Sequence, residues 1–167
     1  DHLERHGTIQ KYAHSKFKLI LNQNKKSFAY VESRNKYLNK EIKKYSFNSN
    51  LIKVKSNEVS NIKKKINNPY FKNINNLNNL SFILELGKKI KLNKNIIFKT
   101  VNIFKGLDFR QQLVLNNKKI TIINDSKSTS FSSSLSLLKS YKDIFWIVGG
   151  IAKKGDKLNL SKKYYKN

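Results

Sequence analysis

The second half of the sequence carries a strand–helix–strand pattern that constrains the fold more than any other feature. The apolar run ITIIND (120–125) predicts a strand, SFSSSLSLLKSY (130–141) a helix, and IFWIVGG (144–150) a buried strand that ends in two glycines. Two strands connected through a helix form a parallel α/β unit. A further β-rich run, FRQQLVL (109–115), precedes them and is joined to 120–125 by the polar turn NNKK. We therefore predict an α/β fold.

The first half of the chain predicts further helices and strands of the same class. TIQKYAHSKFKL (8–19) places apolar residues at helical spacing behind Thr8, a suitable N-cap. The other predicted elements are a strand at 27–33, a short helix at 36–44, a strand at 51–55, a loop or weak β-ribbon at 57–72, a helix at 75–91 and an amphipathic helix at 95–104 that ends with Gly106 at C′. After Leu107 the residue pattern changes to β-rich runs, which predicts a boundary between two α/β modules near residues 105–108.

The chain is strongly basic, with a net charge of +25 and 35 Lys and Arg residues. Such a charge is typical of proteins that bind nucleic acid or anionic membranes. Only 3 of these residues are Arg, the side chain best suited to phosphate forks and base edges. Lys, Asn and Ile, which share A/T-rich codons, make up 73 of the 167 residues. We therefore favour a solvated basic surface, and a basic nucleic-acid-binding module remains the alternative.

Several absences in the sequence narrow the class of protein. There is no cysteine, which removes disulfides and thiolate metal sites and fits a reducing compartment, so we expect a cytoplasmic location. No apolar run reaches the roughly 18 residues of a membrane helix, so we predict no transmembrane segment. The phosphate-cradling pattern G-x-x-x-x-G-K-[ST] does not occur within the 167 residues.

Polar residues from Asn124 to Thr129 lie where the apolar strand ends and the helix begins. Ligands of open α/β sheets bind at this edge, and a helix start offers free N–H groups to anions. Asp125 can accept from a ribose hydroxyl, and Lys127 can face a phosphate or carboxylate. Alternatively, Asp125, Ser126 and Thr129 only cap the helix. The residue types alone leave both interpretations open.

The next strand end repeats this arrangement in WIVGGIAKKGD (146–156). Gly149 and Gly150 allow a ligand to approach the backbone closely, and Lys153 follows in the loop. Taken alone, this stretch favours a tight turn with solvated lysines. Two adjacent strand ends that each carry a lysine predict a shared anion site.

Lys16 shares a helix face with Ile9 and Tyr12, which predicts a half-buried amine. Burial favours the neutral form of a lysine. A neutral amine adds carbon dioxide to form a carbamate, whose oxygen atoms suit Mg²⁺. A solvated lysine on a helix surface is the alternative.

Four stretches, in order along the chain, resemble the Mur ligase family, the ATP-dependent enzymes of peptidoglycan precursor synthesis. DHLERHGTIQKYAHSK (1–16) resembles part of their central domain, and NNLNN (75–79) is similar to their H-N-x-x-N helix start. FKGLDFRQQLV (104–114) and INDSKSTS (123–130) resemble the opening of their third domain. The N-D-S-K-x-T wording is similar to that of members that add D-glutamate to UDP-N-acetylmuramoyl-L-alanine. Folylpolyglutamate-synthase-like ligases share the architecture, but the N-D-S-K motif disfavours them.

The resemblance implies a fold and an activity. Residues 1–106 would form the second half of a P-loop-type central ATPase domain, and residues 107–167 the first part of a Rossmann-like C-terminal domain. The implied chemistry uses ATP and Mg²⁺ to form an acyl phosphate on the L-alanine carboxylate, which the amine of D-glutamate then attacks. The resemblance implies a monomeric enzyme without specific nucleic acid or membrane partners. This chain by itself is expected to be inactive.

The resemblance also implies roles for individual residues. His2 matches a metal-linked histidine, and Lys16 matches a carbamylated lysine that ligates Mg²⁺. Positions that match nucleotide contacts are Asn76, Asn79, Arg110 and Asp125. Positions that match sites near the phosphate and D-glutamate are Lys127, Thr129 and Lys153. Of all these residues, Lys16, Lys127 and Lys153 are the predicted catalytic groups.

Overall fold

The computed structural model describes residues 3–55, 60–151, 156–158 and 161, and within them the chain is a mixed α/β structure. The elements in chain order are α1 (Leu3–His6), α2 (Ile9–Leu21), β1 (Phe28–Glu32), α3 (Lys36–Ile42), β2 (Asn50–Val54), α4 (Ser60–Lys63), a 3₁₀ turn (Pro69–Lys72), α5 (Ile74–Lys89), α6 (Lys94–Ile103), β3 (Gln112–Asn116), β4 (Thr121–Asn124) and α7 (Phe131–Leu138). The predicted α/β class is confirmed.

The first half contains a β1–α3–β2 unit with parallel strands. Phe28 pairs with Asn50 and Glu32 with Val54, and α3 supplies the crossover that parallel pairing requires. Helix α2 begins after Thr8, whose side chain accepts a hydrogen bond from the Lys11 N–H at 3.2 Å. It packs on the unit through a core of buried apolar side chains, which are Ala13, Phe17, Val31 and Ile42. The four elements predicted between residues 8 and 55 are confirmed.

Helices α5 and α6 enclose a second core. Leu80 is completely buried in it, beside Leu77, Leu84, Ile97 and Val101. Both helices predicted for this region are therefore confirmed. The segment before them is a loop with a short helix and a 3₁₀ turn, so the predicted β-ribbon is wrong for residues 60–72.

Helix α6 ends earlier than predicted, with Phe104 as its C-cap, so Gly106 lies beyond C′. At this helix end, Nδ2 of Asn68 donates to the carbonyls of Val101 and Phe104 at 2.8 and 2.7 Å. Gly106 instead adopts a φ of +82°, and a Cβ there would lie 3.0 Å from the ring of Tyr70. The absence of a side chain at Gly106 therefore allows the Tyr70 ring to lie close to the backbone.

Strands β3 and β4, which correspond to the two predicted β-rich runs joined by a polar turn, form a hairpin. They pair antiparallel, with Gln112 opposite Asn124 and Asn116 opposite Thr121, and the register shifts between Leu113 and Leu115. This hairpin brings the end of β4 beside the start of β3, which positions the site described below.

The predicted buried strand at 144–150 is wrong. This segment has no strand structure, and the side chains of Phe145 and Ile147 are 101 % and 98 % exposed. An apolar run becomes a strand only where a neighbouring strand accepts its hydrogen bonds and other layers cover its faces. In the described sheets β4 pairs with β3 alone. The parallel unit predicted for the second half is therefore not formed beyond α7.

Candidate functional site

The carboxylate of Asp125 follows directly after β4 and is held on both of its oxygens. Oδ1 accepts from the backbone N–H of Gln111 at 3.1 Å, and Oδ2 accepts from the hydroxyl of Ser128 at 2.7 Å. The Ser128 N–H also donates to the Asp125 carbonyl at 2.9 Å. Asp125 is half-buried, so the carboxylate is fixed in direction and still reaches solvent.

A different residue caps the following helix. Helix α7 begins at Phe131, with Ser130 as its N-cap in a reciprocal capping box with Ser133. Asp156 adds a second acceptor, since its Oδ2 lies 3.0 Å from the Phe131 N–H. The interpretation that Asp125, Ser126 and Thr129 only cap this helix is therefore wrong.

Asn76 is the second fixed polar group of the site. It lies in the first turn of α5, where Asn73 is the N-cap, and it is 7 % exposed. Its Nδ2 donates to the Tyr70 carbonyl and to Oε1 of Gln111, both at 2.8 Å. Gln111 thereby connects Asn76 with Asp125.

Gln111 was missed by the sequence analysis. It lies in a turn where Phe109 and Gln111 have φ angles of 62° and 52°, in the left-handed region that non-glycine residues seldom adopt. The turn is held by the Arg110 N–H, which donates to the Leu107 carbonyl at 3.1 Å. The only signal in the sequence is that Gln111 follows Arg110, a predicted nucleotide contact.

The Tyr70 phenol interacts electrostatically with Arg110 and with Asp125. Burial raises the pKa of the Tyr70 phenol, the nearby guanidinium of Arg110 lowers it, and the carboxylate of Asp125 raises it. Arg110 itself is exposed. A small cavity lies beside these groups and is lined by Pro69, Tyr70, Asn73, Gln111, Leu113, Ile123, Leu137 and Tyr141.

Other predicted site residues lie near Asn76, Gln111 and Asp125 but take no part in the hydrogen bonds that connect them. Lys127 donates its backbone N–H to the Phe109 carbonyl at 3.0 Å, and its side chain is exposed. Thr129 is exposed, as is Asn79, which lies three positions after Asn76 on α5. The structure therefore brings Asn76, Arg110 and Asp125 together and leaves these three side chains open to solvent.

The predicted half-burial of Lys16 is wrong. Lys16 is exposed, and its Nζ lies 5.6 Å from the centre of the Tyr12 ring. The buried face of α2 is instead formed by Ala13 and Phe17, because these side chains face the β1–α3–β2 unit. His2 and Lys153 lie outside the described residues.

No magnesium site is assembled by the part of the chain that the structure describes. Within it, no group of three or more His, Asp or Glu side chains could hold a metal ion. A carbamate on Lys16 would supply one oxygen ligand group.

Within the described ranges, no helix combines the length and the apolar character needed to cross a membrane.

The chain is similar to a known protein family and to several curated proteins. The family model "Mur ligase middle domain" matches residues 1–92. A UDP-N-acetylmuramoylalanine–D-glutamate ligase of Wolbachia sp. subsp. Brugia malayi is 30% identical over 177 residues, covering 98% of this chain and 35% of the relative. Proteins of the same name from Rickettsia prowazekii and Zymomonas mobilis are 29% and 27% identical, covering 93% and 99% of this chain. The chain spans 39% and 36% of these two relatives, so it matches little more than a third of their length.

Proposed function

This chain belongs to the Mur ligase family, and we propose that it supplies part of an ATP-dependent ligase that adds D-glutamate to UDP-N-acetylmuramoyl-L-alanine. The names of the similar proteins support this choice of substrates. In this proposal residues 1–106 belong to the central ATPase domain and residues 107–167 begin the C-terminal domain. A cytoplasmic location and a monomeric state are parts of the same proposal.

The observation that carries the proposal is the hydrogen-bonded series Asn76–Gln111–Asp125. It joins two residues that were matched to nucleotide contacts, although they come from α5 and from the end of β4. Arg110 lies in the turn between them. We propose that these groups hold the nucleoside end of ATP, with the Asp125 carboxylate accepting from a ribose hydroxyl. Asn79, exposed on the same helix, would contact the same part of the nucleotide.

The proposed reaction joins a carboxylate to an amine in two steps. A carboxylate oxygen of the L-alanine residue takes the γ-phosphoryl group of ATP and releases ADP. The amine of D-glutamate then attacks the acyl carbon, the C–N bond forms, a proton leaves the nitrogen, and phosphate departs. Phosphoryl transfer depends chiefly on positioning and on neutralising charge. Lys127 and Lys153 are proposed to neutralise the anionic groups, and Thr129 to contact the amino acid.

ATP and Mg²⁺ enter the proposal as the cofactors that the family implies. His2 and a carbamate on Lys16 are the proposed links to the metal. When bound, the metal would supply positive charge to the phosphate oxygens.

The test is substrate-dependent phosphate release by the longest polypeptide that carries this chain. Phosphate should appear from ATP only when both UDP-N-acetylmuramoyl-L-alanine and D-glutamate are present. L-glutamate, which has the same charge and size, is the matched control and should support little release. Equal release with both enantiomers, or none with D-glutamate, would contradict the proposed function.

A further inference from the structure

We propose that Gln111 is a positioning residue that fixes the side-chain amide of Asn76, so that only the carbonyl oxygen of Asn76 is offered to a ligand. The amide nitrogen of Asn has two hydrogens to donate. One is directed to the Tyr70 carbonyl, a group that can only accept. The other is directed to Oε1 of Gln111. Asn76 therefore has no hydrogen left to donate.

The Oδ1 atom of Asn76 remains available as an acceptor. It accepts no hydrogen bond from the part of the chain that the structure describes, and it is not among the fully enclosed polar atoms that lack a partner. It therefore keeps some contact with solvent, although Asn76 as a whole is only 7 % exposed. A ligand at this position must present a donor, because an acceptor would face the carbonyl lone pairs without a hydrogen between them.

Gln111 is itself held by a separate contact. Its backbone N–H donates to Asp125 Oδ1 at 3.1 Å, and its φ is 52°. Changes of the Gln111 side chain leave that backbone N–H in place. A substitution therefore removes the restraint on Asn76 and keeps the one on Asp125.

This inference rests on the proposed function, in which ATP binds at the site. Adenine carries an exocyclic amino group, which is a donor and matches an acceptor-only Asn76. Hypoxanthine carries a carbonyl oxygen at the same ring position and would oppose the Asn76 oxygen. The fixed amide would thus make Asn76 select adenine over hypoxanthine, and Gln111 would set that selectivity without touching the base.

The restraint can be tested without any nucleotide, by NMR on this chain. The side-chain amide hydrogens of Asn76 should exchange with solvent more slowly than those of the exposed Asn79, by about tenfold or more. Gln111→Leu, which is similar in size and cannot accept, should remove most of this protection. Gln111→Glu keeps an acceptor and should retain the protection of the Asn76 amide hydrogens. Equal exchange at Asn76 and Asn79 in the unmodified chain would overturn the proposal.

The selectivity is tested by kinetics with ATP and inosine triphosphate in the longest polypeptide that carries this chain. Gln111→Leu should raise KM for ATP about three- to tenfold, as expected for one lost neutral hydrogen bond, and leave kcat unchanged. It should also reduce the preference for ATP over inosine triphosphate by a similar factor, which loss of folded protein would not do. Gln111→Glu should keep the preference.

Gln112→Leu is the matched control for the turn. The Gln112 side chain accepts from the Phe109 N–H at 3.1 Å and donates to Asp108 at 2.8 Å, and neither hydrogen bond involves Asn76. Its removal should leave the preference for ATP over inosine triphosphate as it was.

An unchanged preference in Gln111→Leu, with the unmodified enzyme active on ATP, would overturn the inference about Gln111 and leave the proposed function standing. If Gln111→Leu does not fold, Gln111→Ser provides the same comparison. An unmodified enzyme that does not use ATP would instead overturn the proposed function, while the exchange experiment still decides whether Gln111 restrains Asn76.

Discussion

Asn76 and Gln111 are joined by a 2.8 Å hydrogen bond between two side-chain amides that lie 35 positions apart in the sequence. The bond links the first turn of α5 to the turn before β3. A second link crosses the same region, because Oγ of Ser136 accepts from the side-chain amides of Asn73 and Asn75 at 3.2 and 2.8 Å. The start of α5 thus contacts both the hairpin and α7. The boundary predicted near residues 105–108 lies between these partners and stays a prediction.

Truncation of Leu80 should destabilise the fold more than truncation of any exposed residue of α5. Leu80 is 0% exposed in the core between α5 and α6, and Leu80→Ala should lower the free energy of unfolding by about 3 kcal/mol. Ile83→Ala is the control on the same helix, since Ile83 is 50% exposed, and it should cost less than about 1 kcal/mol. Urea denaturation measures both values, and equal losses would contradict the assignment of this core.

Replacement of Asp125 by Asn should affect nucleotide binding more than stability. Asn can still accept from the Gln111 N–H and can interact with the Ser128 hydroxyl, so unfolding should change by less than about 1 kcal/mol. In the longest polypeptide that carries this chain, KM for ATP should rise, because the charge offered to the ribose is lost. Asp143→Asn, at an exposed aspartate, is the control. A variant that loses stability while its KM stays normal would show that Asp125 has only a structural role.

Stability should fall at alkaline pH partly because of Tyr70. Burial first, and then the carboxylate of Asp125, raise the pKa of this phenol, while Arg110 opposes them. The folded state therefore holds the phenolic proton more tightly than the unfolded chain. This contribution is fully present below the pKa of an unfolded tyrosine, about 10, and is lost as the pH rises through the raised folded value. Tyr70→Phe should reduce the fall in unfolding free energy above about pH 10, whereas Tyr37→Phe, at an exposed position, should not. Identical pH profiles for Tyr70→Phe and the unmodified chain would refute the prediction.

Lys16 provides a test of the proposed carbamate. Lys16→Arg keeps the positive charge, but a guanidinium does not form a carbamate. Because Lys16 is exposed, the melting temperature should not change. Turnover in the longest polypeptide that carries this chain should nevertheless be lost. Lys18→Arg, at another exposed position of α2, should be fully active. Near-normal turnover in Lys16→Arg would exclude the carbamate.

This chain by itself should not hydrolyse ATP. The 167 residues contain no G-x-x-x-x-G-K-[ST] sequence, which supplies the backbone cradle and the lysine for the β- and γ-phosphates. The groups at Asn76, Arg110 and Asp125 would hold at most the nucleoside end. Phosphate release is measured with the purified chain, ATP and both proposed substrates. Release above the level of a buffer blank would mean that the chemistry does not need such a cradle.

Elements whose signals lie within a few residues were predicted correctly from the sequence. The cap at Thr8 and the apolar spacing behind it determine α2, and the same kind of spacing determines α5 and α6. The place where β4 ends, and with it the position of Asp125 at a strand end, was predicted for the same reason. Periodicity and capping are local properties of a chain, because they depend on neighbours three or four positions away.

Tertiary structure decided everything that depends on distant neighbours. Lys16 shares a helix with Tyr12, yet it is exposed because the β1–α3–β2 unit covers the adjacent face of α2. The apolar segment 144–150 has the composition of a strand, but a strand also needs a hydrogen-bonding neighbour, and among the described strands β4 pairs only with β3. The role of Gln111 depends on a left-handed backbone angle and on a helix 35 positions away. The sequence by itself therefore determined the family and the local elements, whereas the choice of partners across the chain was decided by packing and hydrogen bonding in three dimensions.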